Sequence, residues 1–390
     1  MNCIARELIR EMAAPAAALR RELHGLPELA GVEFATSARL RKALCALPVE
    51  VCPPFLATDV VGFLHGRAPG RNVTLRADID ALPFEDGPRH ACGHDGHAAM
   101  LWGAIAVLAR LRDRFRGSVR FVFQPGEEIK AMAADLIAAG ALRDPVPDGV
   151  FALHGWPGLP VGVVGSRAGV LMAAGGFFSF RLNGRGGHGA NPEAVLNPLY
   201  AAAGLCRELA AIPQSLSARE KTVVAVCRVA GGTNANRVPD TALVEGTIRF
   251  LDGEDGRQLA EALEGAAKRI EAEYGVGVVL DYATPYPALR CDAAALAMAR
   301  EGLAAIRPDI EFREIAKPFM SSEDFSYFLR QAPGAYLRIG LGENRPIGHA
   351  PDFEFNDEAI PVGMAALVGA ALRRLDALSG SLKNDLGPGT

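Results

Sequence analysis

The sequence predicts an α/β fold, with a larger domain on a mixed, largely parallel sheet flanked by helices and a small ferredoxin-like (split βαβ) domain inserted into it. Three observations carry this. Apolar runs of strand length recur around helical stretches at both ends of the chain, the middle reads β-α-β-β-α-β, and 390 residues suffice for two or three domains of roughly 150 each.

Taken in order, MNCIARELIREMAAPAAALRRELHG alternates charged and apolar residues at helical spacing. Strands are expected over Asp59 to Gly66, Asn72 to Asp80, Ser118 to Pro125 and Gly149 to His154. Between the second and third lies a helix, His97 to Arg116, with Leu101, Ile105, Leu108 and Leu111 on one face and Arg110, Arg112, Arg114 and Arg116 toward its C-terminal end. Strand, helix, strand implies a parallel crossover.

The middle supplies strand Gly175 to Leu182, helix Pro198 to Ala211, strands Thr222 to Ala230 and Ala242 to Phe250, helix Gln258 to Tyr274 and strand Val276 to Tyr282. The first pattern then resumes with helix Asp292 to Ile306, strands Glu311 to Ile315 and Ala335 to Gly340, and helix Asp357 to Leu378. The expected domains are 1–171 with 288–380, an insert 172–287, and a polar, Gly-containing tail from Gly380 (381–390) expected to be disordered.

Composition narrows the partners. With 45 acids, 41 bases and a formal charge of −4, no basic field draws the chain to nucleic acid or anionic lipid. The longest stretch without Asp, Glu, Lys or Arg, Gly149 to Ser166, is broken by His154, Pro157, Pro160 and glycines, so no membrane span is expected. The N-terminus reads as no export signal. Seven scattered cysteines without a CxxC suit a reducing cytoplasm rather than a disulfide framework.

Chemistry concentrates in a few places. Cys92-Gly93-His94-Asp95-Gly96-His97 offers soft sulfur and borderline nitrogen, a donor set for Zn²⁺, Co²⁺, Ni²⁺ or Mn²⁺ rather than Ca²⁺ or Mg²⁺. Glu127-Glu128 follows the strand ending at Pro125. In an extended chain neighbours point to opposite sides, so one carboxylate could bind a metal while the other takes a proton from a water. His154 ends a strand, and His349 follows one after a Gly/Pro loop. Each motif alone is better explained by a packed thiol, a solvated acidic pair or a structural histidine. Their convergence, with Asp80, at the carboxyl ends of strands is what points to a site.

The chain resembles the M20 peptidase family through RELHGLPEL at Arg21 to Leu29, LRADIDALP at Leu75 to Pro83, HACGHD at His90 to Asp95, FQPGEE at Phe123 to Glu128 and GRGGH at Gly184 to His188. Gly231-Gly232-Thr233 with Asn236 and Val238-Pro239-Asp240, Glu323-Asp324-Phe325-Ser326, and His349 with Phe355-Asn356-Asp357-Glu358 continue the match. It runs in order from about residue 18 to 376 and is nearest the aminoacylase, hippurate hydrolase and indoleacetyl-amino-acid hydrolase branch.

The resemblance implies an amidohydrolase with two divalent metal ions per chain (Zn, Mn, Co or Ni) and a lid domain through which it forms a homodimer. The substrate would be a small N-acyl amino acid or related N-acyl amine, cleaved to a carboxylic acid and an amine by a metal-bound water that Glu127 deprotonates. Carried over, Cys92, His94, Glu128, His154 and His349 are metal ligands, with Asp80 orienting a ligand histidine. His188 stabilises the oxyanion, within its chain or across the dimer, and Asn236 and Arg249 hold the substrate carboxylate. Two departures border the site: the segment between Pro83 and His90 is shorter than is usual there, and Ile129-Lys130-Ala131 stands where glycines are usual. They suggest a pocket open to bulkier acyl or amine groups, unless Phe84 or Ile129 refills it. Two other readings are a di- or tripeptidase or carbamoyl-amide hydrolase of the wider family, which Cys92 speaks against, and an inactive binding relative, which would have lost a ligand or the base.

Overall fold

The computed structural model describes residues 1–128, 130–216 and 221–375. The tail from Gly380, the end of the helix expected to reach Leu378, and Ile129 lie outside the described residues. The chain divides into two compact units, Met1–Leu171 with Arg290–Ala316 and Asp324–Thr390, and Met172–Leu289 with Lys317–Glu323.

The first unit is built on an eight-stranded sheet in the order Glu50–Val51, Val60–His65, Ser118–Gln124, Asn72–Asp78, Gly149–Pro157, Gly334–Gly342, Val163–Ser166, Glu311–Glu314. The four central strands, Ser118–Gln124 through Gly334–Gly342, run parallel to one another. Val60–His65 and Val163–Ser166 join them antiparallel on either side. Strand Asn72–Asp78 is buried at every residue, as expected for a strand covered on both faces.

Several elements differ from expectation for local reasons. The helix placed at His97 to Arg116 runs His94–Arg110. Gly93, at φ 88°, takes a left-handed turn that starts the helix three residues early and puts His94 in its first turn. Leu111 leaves helical geometry and Phe115 is extended, so Arg112 to Arg114 form a short 3₁₀ turn and Arg116 lies beyond the helix. Strand Asn72–Asp78 stops before Asp80, whereas strand Gly149–Pro157 continues past His154. Helix Phe34–Leu44 and strand Val163–Ser166 were not expected, and the C-terminal helix is a 3₁₀ turn Asp357–Ala359 followed by Ile360–Arg374.

The second unit carries strands Ala174–Asn183, Thr222–Gly231, Thr241–Phe250 and Gly277–Tyr286 with helices Pro198–Ser215 and Gly253–Tyr274, in β-α-β-β-α-β order. Its antiparallel sheet is ordered Thr222–Gly231, Thr241–Phe250, Ala174–Asn183, Gly277–Tyr286. Alternate residues Phe178, Phe180, Leu182, Val244 and Ile248 face a core completed by Leu205, Leu209, Leu259, Leu263 and Ile270.

Candidate metal centre

In the first unit the carboxyl ends of the parallel strands bring the candidate donors together. Asp78 pairs in register with Gln124, and His154 lies two residues past the Arg76–Ala152 pair, at the same level of the sheet. The connections leaving that level carry Asp80, Glu127-Glu128 and the Cys92–His94 turn. His349 sits beyond strand Gly334–Gly342 at φ 71°, a strained conformation for a non-glycine residue. Its N–H donates to the Ala91 carbonyl at 2.8 Å.

Donor atoms of Cys92, His94 and His154 lie within 4.8 Å of one another, as do those of Cys92, Glu128 and His349, so two triads meet at Cys92. Cys92 Sγ is 3.3 Å from His154 Nε2, while His154 Nδ1 donates to the Gly155 carbonyl at 2.7 Å, leaving Nε2 as the acceptor nitrogen. His94 Nδ1 meets Asp80 Oδ1 at 3.1 Å, turning Nε2 toward Glu128 Oε1 at 3.6 Å. Asp80 Oδ2 accepts the Glu128 N–H at 3.1 Å, so Asp80 orients a histidine and the glutamate facing it. His349 Nε2 approaches Glu128 Oε1 at 3.3 Å from a side chain 57% exposed.

These residues fit a metal on an observation of their own. His94 Nε2 is buried and makes no hydrogen bond, yet it faces Glu128 Oε1 at 3.6 Å, itself buried and approached by the exposed His349 ring at 3.3 Å, with the Cys92 thiol beside them. Buried polar atoms without partners cost about 1–3 kcal/mol each, and a cation between them would satisfy both. One thiol, three imidazoles and a carboxylate form a mixed soft and borderline set.

The electrostatics follow from burying acids and bases together. Burial works against the imidazolium of His94, but Asp78, Asp80 and Glu128 outweigh it and raise its pKa to about 10. Burial pushes the Cys92 thiol well above its usual value, with Glu128 adding to the effect. It drives His154 well below the histidine range, helped by the neighbouring His97. Asp78 is held well below the carboxylate range because His94, His97 and Arg76 overcome its desolvation.

The expected opposition of Glu127 and Glu128 is corrected. Gly126, at φ 65°, turns the chain after Gln124, so the pair sits in a turn rather than in extended chain. Each offers an oxygen within 4.8 Å of a His94 ring nitrogen and of the other. Glu127 is only 7% exposed, and its Oε1 accepts the Asp324 N–H at 3.4 Å.

Beneath this site lies a buried polar support that was not expected from the sequence. His97 Nδ1 lies 2.6 Å from Asp78 Oδ1 and its Nε2 accepts the Gly155 N–H at 2.7 Å, so both nitrogens are engaged and His97 is no ligand. Arg76, wholly buried, donates to Asp78 Oδ2 and Asp324 Oδ1 at 2.8 Å each and to Gln124 Oε1 at 2.9 Å. Two sequence signals were available: Asp78 and Asp80 share a side at strand period, and His94 and His97 share a helix face. Of the two possible pocket fillers, Phe84 is half-buried with the Arg89 guanidinium 5.4 Å over its ring.

His188, Asn236 and Arg249 belong to the second unit. His188 is exposed, in a two-residue strand that pairs with Arg237–Val238, and Asn236 is exposed in the preceding turn. Arg249 is half-buried on strand Thr241–Phe250 and donates through Nη1 to the carbonyls of Ile248 at 2.8 Å and Gly176 at 3.5 Å.

The model for peptidase family M20/M25/M40 matches residues 74–373. The N-acetylcysteine deacetylase of Bacillus subtilis (strain 168) is 33% identical over 357 residues, 88% of this chain and 92% of its own. The IAA-amino acid hydrolase ILR1-like 4 of Arabidopsis thaliana is 32% identical over 390 residues, 94% of this chain and 87% of its own. Among solved structures, Bacillus subtilis YXEP, described as a dinuclear metal binding peptidase from the M20 family, superposes with a TM-score of 0.81 at 30% identity, covering 95% of this chain and all of that one.

Proposed function

The chain belongs to peptidase family M20/M25/M40, and on that premise we propose that it is an amidohydrolase releasing a carboxylic acid and an amino acid, or a related amine, from a small N-acyl substrate. The observation that carries this is the meeting of the Cys92-centred triads with a second carboxylate, Glu127, at the ends of the parallel strands. The named relatives support the substrate class, since they act on N-acetylcysteine and on IAA-amino acids.

In this reading Cys92, His94, Glu128, His154 and His349 would hold two divalent ions, which would supply polarisation of the amide carbonyl and acidification of a water. Glu127 would take a proton from the attacking water as its oxygen bonds to the carbonyl carbon, and return it to the nitrogen as the C–N bond breaks. Asp80 keeps His94 and Glu128 aimed. His188 supports the developing oxyanion, and Asn236 and Arg249 take the substrate carboxylate. The short connection from Pro83 to His90 favours groups bulkier than acetyl.

Zinc, manganese, cobalt or nickel suits the donors, and the scattered thiols suit the cytoplasm. Two copies pair through an edge of the four-stranded sheet. Among the described residues, strand Thr222–Gly231 is such an edge, with Val229 exposed and Arg228 paired with Glu245 at 2.8 Å, and an edge of this kind invites a strand from another copy. The test is kcat/KM of the metal-loaded protein across N-acyl amino acids from acetyl through benzoyl to indoleacetyl. Turnover rising with acyl size supports the reading, an acetyl preference closes the pocket, and no hydrolysis of any member overturns the function.

A further inference from the structure

Glu33 is wholly buried, at the start of helix Phe34–Leu44, far in sequence from every donor of the metal centre. Its Oε1 accepts the N–H of Gly31 at 2.9 Å and that of Gly126 at 3.0 Å. Its Oε2 accepts the hydroxyl of Thr58, itself buried, at 2.6 Å. Gly126 is the residue immediately before Glu127-Glu128 and the one whose φ of 65° makes the turn.

Glycine suits that corner, because its φ of 65° strains any other side chain and a Cβ there would meet Met132 Sδ at 2.3 Å and force that side chain to move. The Gly126 carbonyl is held as well, accepting the Met132 N–H at 3.1 Å. Both backbone polar groups of Gly126, the residue at which the chain turns toward the two carboxylates, are thus held by partners, the N–H by the Glu33 side chain and the carbonyl by the Met132 N–H. Burying an anion on neutral donors alone is costly, and burial raises the Glu33 pKa. An amide of the same shape could still accept from both backbone N–H groups, so what the turn needs from Glu33 is its reach.

We propose that Glu33 is a positioning residue for the Glu127-Glu128 pair: by holding the Gly126 N–H it fixes the turn that directs one carboxylate to the metals and the other to the reacting water. This rests on the functional reading above for the roles of the pair, and on the hydrogen bonds alone for the geometry. A displacement of about 1 Å at a reacting group can cost on the order of 100-fold, which sets the scale.

Two substitutions separate reach from charge. Glu33→Gln keeps the length and loses the charge, while Glu33→Asp keeps the charge and falls one methylene short of Gly126. Both are compared with wild type in the full chain, by Co²⁺ titration followed through the thiolate-to-cobalt absorption and by kcat and KM on the best N-acyl amino acid. Glu33→Gln is expected within about twofold of wild type in every readout. Glu33→Asp is expected to lose about 10- to 100-fold in kcat at little-changed KM, and to bind its weaker Co²⁺ equivalent about tenfold less tightly.

Equal cobalt spectra and kcat for Glu33→Asp and wild type would overturn the proposal, and so would a Glu33→Gln as impaired as Glu33→Asp. If Glu33→Asp does not fold, Thr58→Val serves in its place, freeing Oε2 and loosening the same carboxylate. An unaltered Thr58→Val beside an impaired Glu33→Gln would then overturn the assignment. A wild-type protein inert toward every N-acyl amino acid would sink the functional reading while the cobalt arm still judges Glu33.

Discussion

The two units hold their candidate functional residues differently. In the first, Arg76, Asp78, His94, His97 and Asp324 are buried and bonded to one another. In the second, His188 and Asn236 stand at the surface and Arg249 spends its hydrogen bonds on backbone carbonyls. Buried charges persist only when partnered, so the first unit has its donors placed in advance, which suits chemistry that tolerates little displacement. Exposed groups on turns and strand faces cost little to hold in place and little to change, which suits a share in substrate selection.

The sharpest way to break this contrast is at the acidic pair. Glu127→Gln is expected to keep its metals and lose at least ~100-fold in kcat, since general-base assistance is worth on the order of 10² to 10⁴. Glu128→Gln is expected to lose metal, read by elemental analysis. The reverse pattern would exchange their roles.

A smaller effect is expected one layer out. His97→Ala takes the hydrogen-bond partner from Asp78 Oδ1 and from the Gly155 N–H, and is expected to cost about 1–3 kcal/mol of stability in denaturant unfolding and 10- to 100-fold in metal affinity. A His97→Ala protein as stable and as tightly metallated as wild type would mean that the buried network is not what holds the donors.

The second unit should answer differently. Asn236→Ala is expected to raise KM about tenfold, the worth of one hydrogen bond to a charged group, with metal content unchanged and stability within about 0.5 kcal/mol. Lost metal or a destabilised fold would erase the distinction between the units. Smallest in its effect on chemistry is Val229→Lys, which charges the exposed edge of strand Thr222–Gly231. It is expected to turn a dimer into a monomer by light scattering, and a wild-type monomer at micromolar concentration would remove that interface.

What could be read in the sequence follows the same division between local and distant causes. The central strands and the inserted β-α-β-β-α-β unit were legible because apolar alternation and turn residues are local signals. Helix Phe34–Leu44 was not, being short and burying Thr36 and Ser37 beside only Leu40 and Leu44, and the start of helix His94–Arg110 depended on the left-handed Gly93. Strand Val163–Ser166 is four residues in a Gly- and Pro-rich stretch.

At the site, Cys92, His94, Glu128, His154 and His349, whose donor atoms the structure brings together, stood out as candidates because their side chains are of metal-binding types. Arg76, Asp324 and Glu33 did not, since each acquires its role only through a partner distant in the chain, as in the 248-residue separation of Arg76 and Asp324. The opposition expected of Glu127 and Glu128 failed on one residue, because Gly126 bends what the alternation rule takes to be straight.

If the Cys92-centred donors hold metal, hydrolysis depends on it. The direct measurement is the metal content of the purified chain by elemental analysis, paired with hydrolysis of an N-acyl amino acid before chelation, after it, and after restoring Zn²⁺, Mn²⁺, Co²⁺ or Ni²⁺. About two divalent ions per chain, activity abolished by chelator and recovered with metal, is the predicted result. Full activity in a chain stripped of metal would contradict it.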